Sequence, residues 1–156
     1  MRISDILDES VVRVHLKGKS KDEIINQMIA IVNNSNKISD IEKVREAIFE
    51  REKIMSTGVG NGFAIPHGKT DAVADIVAAF AVTEEPIDYD SLDEQPVRLI
   101  FLLVGKDSMV GPHIKLLSRI SRLMNKEEFR AKLLKAASEK AVIEIFKAEE
   151  ATYFEN

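Results

Sequence analysis

The sequence predicts an α/β fold, a three-layer αβα sandwich whose mixed central β-sheet is flanked by helices, and three observations lead there. Residues 76–82 and 97–104 are apolar runs, continuous but for Arg98, with the composition of strands covered on both faces. Stretches with apolar residues at helical spacing precede and follow these runs. The runs themselves are joined by an acidic, turn-rich segment, 84–94, with no helical pattern, so not every strand connection holds a helix and the sheet mixes directions. With 156 residues, 45% of them hydrophobic, the chain has room for one core, and 1–156 reads as a single domain without linker or repeat.

Taken in order, Val12, Val14 and Leu16 alternate with Arg13, His15 and Lys17, the period of a half-buried strand, which leaves His15 pointing outward and Gly18 as its end. Ser20 with Glu23 forms a capping-box pattern ahead of Ile24, Ile25, Met28, Ile29 and Val32, so a helix follows until the polar residues 33–36. Ser39 with Glu42 repeats that pattern before a second helix striped by Ile41, Val44, Ala47 and Ile48, with residues 50–53 in or beyond its last turn. Gly58, Gly60 and Gly62 then mark a loop, Phe63-Ala64-Ile65 a short strand, and Pro66-His67-Gly68 a sharp exit. Beyond the two buried runs, Gly111-Pro112 opens a helix carrying Ile114, Leu117, Ile120, Leu123 and Met124, with proline near the first turn where its missing donor does no harm. Asn125 and Ser138 cap two further helices, 126–136 and 139–148.

Composition excludes several kinds of function. The 22 basic against 26 acidic residues leave a charge of −4, without the cationic excess of a nucleic-acid-binding protein. The absence of cysteine removes disulfides, thiol nucleophiles and Cys-ligated metal centres, so any nucleophile is another side chain. The start, Met1-Arg2-Ile3-Ser4-Asp5, runs into acids rather than an apolar signal, and no stretch reaches the ~18–20 apolar residues of a membrane span. A soluble, cytoplasmic protein with no direct membrane insertion is expected.

Two motifs invite a nucleotide reading and fail. Gly58-x-Gly60-x-Gly62 misses the third position of the dinucleotide fingerprint and leads into Phe63-Ala64-Ile65-Pro66 where a helix should begin. Gly68-Lys69-Thr70 ends like a phosphate-binding P-loop, but five residues separate it from Gly62 where the pattern requires four, and Pro66 has no N–H to offer a phosphate. Neither a metalloprotease spacing nor a nucleophile elbow accompanies the three histidines, His15, His67 and His113, although two histidines and a distant carboxylate converging in space would support a metal-dependent hydrolase. His67 is the position with physical interest: Pro66 stiffens the backbone that aims its imidazole and Gly68 keeps bulk away. Local sequence leaves a second reading open, a surface histidine in a turn.

Read as one unit, Arg51-Glu52 followed by Ser56-Thr57-Gly58-Val59-Gly60-Asn61-Gly62-Phe63-Ala64-Ile65-Pro66-His67-Gly68-Lys69 resembles the enzyme IIA domains of the bacterial phosphoenolpyruvate-dependent phosphotransferase system, in the mannitol/fructose class that includes the nitrogen-regulatory IIA proteins. The resemblance continues through residues 85–90, 95–97 and 113–123 and covers roughly residues 4 to 147; the segment 106–112 is less typical of the family. It implies a type-2 IIA domain over 1–156, a phosphotransferase component in which His67 accepts a phosphoryl group on Nε2 from phosphohistidine of HPr or an HPr-like carrier and passes it to a IIB domain for fructose- or mannitol-type sugar uptake. The alternative within the same family is a nitrogen-type regulatory protein that docks to target proteins according to its phosphorylation. The family's accompanying arginine and second histidine fall on Arg51 and His113, and the transfer requires no nucleotide, metal or other cofactor.

The chemistry accounts for these residue types. A nucleophilic imidazole needs a neutral lone pair, so Nδ1 should hold the proton and donate it, best to a backbone carbonyl. Arg51 matches phosphate oxygens with a fork of donors and, as a like charge, disfavours protonation of His67; alone it also reads as a solvated cation at a helix C-terminus, as His113 alone reads as a first-turn helix residue. The glycines at 58, 60, 62 and 68 are expected to form a floor that a partner's histidine approaches closely, with N–H groups toward the phosphoryl group.

Overall fold

The two apolar runs form the centre of the sheet. The computed structural model describes residues 1–154. Strands β4 (Val77–Ile87) and β5 (Val97–Gly105) pair antiparallel, and β1 (Val12–Leu16) joins β4 in parallel. Two short strands, β2 (Phe63–Ala64) and β3 (His67–Lys69), lie in succession along the other edge of β5, both parallel to it. The spatial order is therefore β1-β4-β5-β2, with β3 continuing the β2 edge. Helices α1 (Lys21–Val32) and α2 (Ile41–Ile54) precede these edge strands, while α3 (Val110–Met124), α4 (Glu127–Leu134) and α5 (Glu139–Tyr153) follow the sheet.

Register decides which side chains each layer meets. Phe80 stands opposite Phe101, and both rings pack on Phe146 of α5, with centroids 5.2 and 5.9 Å away. Phe129 of α4 meets the same ring edge-on at 5.2 Å, a geometry that suits the aromatic quadrupoles. The alternate residues Ala79, Ala81, Ile100 and Leu102 point to the opposite face, where α1 lies over β4 and α2 packs on β3. All of these sheet residues are buried, so the mixed sheet is covered on both sides as its composition requires.

Several local details depart from the sequence reading. The second helix is capped by Asp40, whose carboxylate accepts from the N–H groups of Glu42 and Lys43; Ser39 instead donates its hydroxyl to the Ala72 carbonyl. The chain does not leave the sheet at Pro66, because pairing with β5 resumes at His67. The acidic connector is shorter than expected, since β4 runs through to Ile87 with a register shift after Val82. His15 is exposed as expected, but it sits at a positive φ of 54° inside a register shift of β1. Asn125 closes α3 rather than opening α4, which has no side-chain cap, and the third of these helices begins at Val110, one residue before Gly111. Ser138 caps α5 by accepting from the Ala141 N–H, and that helix extends to Tyr153.

Because Phe146 joins two strands and α4 through three ring contacts, Phe146→Ala should cost about 3–5 kcal/mol in urea unfolding, the range for truncating a buried aromatic; a loss below ~1 kcal/mol would show that this cluster does not anchor the second layer.

Candidate functional site

Pro66 has no N–H, so it is tolerated in a sheet only on an edge, and it falls between the two edge strands while its carbonyl still accepts from the Leu103 N–H at 3.1 Å. His67 then restarts the pairing opposite Leu103. Its Nδ1 lies 2.8 Å from the Ile65 carbonyl oxygen. A carbonyl only accepts, so Nδ1 carries the proton and donates, and Nε2 keeps its lone pair for chemistry. Gly68 faces the other side of the sheet, where a Cβ would lie 3.1 Å from the carbonyl carbon of Ala47 in α2; glycine is what lets β3 seat this close to the helix.

A cleft of about 400 Å³ opens over this edge, lined by Ala47, Arg51, His67, Gly68, Lys69, Asp107, His113, Ile114 and Leu117. Arg51 projects from the last turn of α2, where one guanidinium nitrogen donates to the Met55 carbonyl at 2.9 Å. His113 stands in the first turn of α3, its ring centroid 5.8 Å from that of His67. It is only 2% exposed, yet neither of its ring nitrogens has a hydrogen-bond partner among the described residues. A Cβ on Gly105 would come within 2.9 Å of its Nδ1, so the bare backbone at the end of β5 makes room for this ring.

Burial and nearby cations shift both imidazoles toward the neutral form. Burial lowers the pKa of His67 most, the Ile65 carbonyl pulls in the opposite direction, Arg51 and Lys69 lower it and Glu52 raises it. His113 is pushed down to about 4, first by burial and then by the His67 and Lys69 charges. The arrangement therefore presents one aimed lone pair, a second imidazole with unused nitrogens, and two cations at a single opening. An incoming phosphoryl group would bring negative charge and oxygen acceptors that answer all of these groups at once. No group of three or more histidine or carboxylate side chains among the described residues is placed to hold a metal ion.

Comparison with known proteins identifies the family. The model for "Phosphoenolpyruvate-dependent sugar phosphotransferase system, EIIA 2" matches residues 5–149. The chain belongs to this EIIA family. It is 37% identical over 145 residues to the fructose-specific EIIABC component of Bacillus subtilis, covering 93% of this chain and 23% of that longer protein. It is 33% identical over 152 residues to a nitrogen regulatory protein of Bradyrhizobium diazoefficiens, covering 97% of this chain and 99% of the relative. Among solved structures, the nitrogen regulatory protein IIA-Ntr of Neisseria meningitidis superposes with a TM-score of 0.86 at 32% identity, over 92% of this chain and 98% of that one.

All three site residues expected from the EIIA resemblance, Arg51, His67 and His113, line the same cleft although they come from α2, the β2–β3 edge and α3. His15 lies elsewhere, on β1 at the far edge of the sheet. Two charged lining residues were not singled out as site residues: Lys69 and Asp107. For Lys69 a signal existed, since residues two apart on a strand share a face, but it required reading 67–69 as strand rather than exit. Asp107 carries no local signal. The expected glycine floor reduces to Gly68, the one glycine in the lining; the Gly58 N–H donates to Ser56 Oγ at 3.1 Å and the Asn61 N–H to Asp93 at 3.1 Å, so that loop is clasped to its neighbours instead of facing the cleft.

Two titrations check this site. With Arg51→Met, the midpoint of His67 should rise, because a cation that lowers it is removed, and imidazole NMR that shows no upward shift would contradict the placement. His113, whose folded-state pKa lies below its ordinary value, stabilises the fold in full above about pH 6.5 and loses that contribution as pH falls toward about 4. The unfolding free energy should therefore decline across that window, and the decline should be shallower in His113→Gln.

Proposed function

We propose that this EIIA domain, taken as one unit over 1–156, is a cytoplasmic phosphoryl carrier with His67 as the accepting nucleophile. The observation that carries the reading is the Nδ1–H bond to the Ile65 carbonyl, which leaves Nε2 as a neutral, aimed lone pair in a cleft shared with Arg51, Lys69 and His113. In the transfer, Nε2 forms a bond to phosphorus as the nitrogen–phosphorus bond of a donor phosphohistidine breaks, and the bonding pair returns to the donor's imidazole. The Nδ1 proton stays on Nδ1, hydrogen-bonded to the Ile65 carbonyl. Charge builds on the three equatorial oxygens during this step, and fixed donors and cations stabilise it without reorganising. Arg51 and His113 are assigned to those oxygens, with the guanidinium fork as the stronger partner. No nucleotide or metal enters the step.

A phosphoryl donor that is itself a protein must bring its histidine into the cleft. Exposed Ile54 and Met55 follow Arg51, and exposed Ile114 lines the opening, the kind of apolar rim that marks a docking surface. The donor is HPr or an HPr-like carrier, and the acceptor a IIB component of fructose- or mannitol-type uptake, in keeping with the similarity to the fructose-specific relative. The near full-length match to nitrogen regulatory proteins favours a second reading of the same carrier, in which phosphorylation changes its affinity for target proteins.

Incubation with phosphoenolpyruvate, enzyme I and HPr should add one acid-labile phosphoryl group, detectable by intact mass, and His67→Ala should abolish it. Label that persists in His67→Ala would overturn the assignment. Discharge of the label by added IIB supports the uptake route; retention of it, together with partner pull-downs that differ between the two phosphorylation states, supports the regulatory one.

A further inference from the structure

Glu52 follows Arg51 in the last turn of α2 and is 8% exposed. It accepts from four donors. The Thr57 N–H reaches it at 3.0 Å, the Thr57 hydroxyl bonds to it, the Tyr89 hydroxyl lies at 3.2 Å, and the Lys21 ammonium lies at 3.0 Å. These donors come from the head of the glycine loop, from the connector between β4 and β5, and from the first residue of α1. Lys21 also sits over the buried Tyr89 ring, 4.7 Å from its centroid.

The arrangement is an expensive way to hold a helix end. A carboxylate in a low-dielectric interior gives up its hydration, and a packed apolar group would often serve stability as well or better. It also sits at the C-terminal end of α2, where the helix dipole disfavours negative charge. What the carboxylate supplies and an apolar group cannot is a fixed acceptor for the Thr57 N–H. From there a continuous chain of hydrogen bonds leads to the site: the Thr57 carbonyl accepts from the Ile65 N–H at 3.1 Å, and the Ile65 carbonyl holds His67 Nδ1 at 2.8 Å.

We propose that Glu52 is a positioning residue for phosphoryl transfer, orienting the His67 imidazole through Thr57 and Ile65 while anchoring the helix turn that presents Arg51. The inference rests on His67 being the accepting nucleophile. Its negative charge acts on His67 in the opposite sense to Arg51 and Lys69, so Glu52 also tempers how far those cations depress the imidazole's basicity.

Glu52→Gln in the full chain retains shape and removes the charge. Nitrogen-15 imidazole NMR should show a smaller share of the Nδ1–H tautomer and a lower His67 midpoint. Phosphorylation by phospho-HPr should slow roughly 10- to 100-fold in kcat with KM unchanged, the scale of loss for a misaligned reacting group. A merely structural role would lower thermal stability and leave tautomer, midpoint and kcat at wild-type values, and that result overturns the proposal. If Glu52→Gln does not fold, Glu52→Asp retains the charge on a shorter arm; slower kcat at unchanged KM supports positioning, and a wild-type rate overturns it. The NMR readouts need no phosphoryl donor, so a wild-type chain that takes no phosphate refutes the carrier reading while still leaving the link from Glu52 to His67 measurable.

Discussion

The edge of the sheet carries a break that most of the site depends on. Pro66 cannot donate to β5, so the edge strand divides into β2 and β3, yet the Pro66 carbonyl stays in the ladder and keeps the halves in register. The Ile65 carbonyl meets the ring of the residue two positions on, and His67 satisfies it with Nδ1. Gly62 and Pro66 are the residues whose carbonyls pair with β5, so Ile65 between them turns its own N–H to the Thr57 carbonyl and its carbonyl to the open edge of the sheet. That edge-facing carbonyl sets the tautomer, and the free Nε2 follows from this single hydrogen bond.

Around it the sheet acts as a rigid frame for parts that come from distant places. The central antiparallel pair and its aromatic packing on α4 and α5 fix β5, and β5 in turn fixes β3 on its flank and α3 at its end. Two close approaches complete the cleft: Gly68 against Ala47 brings α2 and Arg51 in from one side, and Gly105 admits the His113 ring from the other. Each is a place where one extra carbon would push a cleft-lining residue away.

The site also carries costs. His113 is buried with both nitrogens unpartnered, and Glu52 is a buried carboxylate at the unfavourable end of a helix. Groups held against their own solvation are expected where function, rather than stability, selects the residue. Under the proposed carrier function a phosphoryl group would supply the partners that His113 lacks, whereas Glu52 already has its donors in Thr57, Tyr89 and Lys21.

Much of this was legible in the order of residues. Apolar runs and helical periodicities predicted the layers, because covered strands and amphipathic helices leave those patterns; the motif around Pro66-His67-Gly68 pointed to the family, and with it to Arg51 and His113. Local rules failed where two residues compete or where a strand is very short. Asp40 outbid Ser39 as a cap, and three residues at 67–69 leave no period to read, which hid Lys69. Asp107, the orphaned nitrogens of His113 and the four donors on Glu52 were decided by tertiary structure alone, since each depends on how α1, α2, α3 and the β4–β5 connector meet. The sequence by itself, through its resemblance to the EIIA family, pointed to His67 and its Nε2; only the tertiary structure supplied the acceptor that holds the Nδ1 proton, because the Ile65 carbonyl meets the ring only once β2 and β3 are both seated on β5.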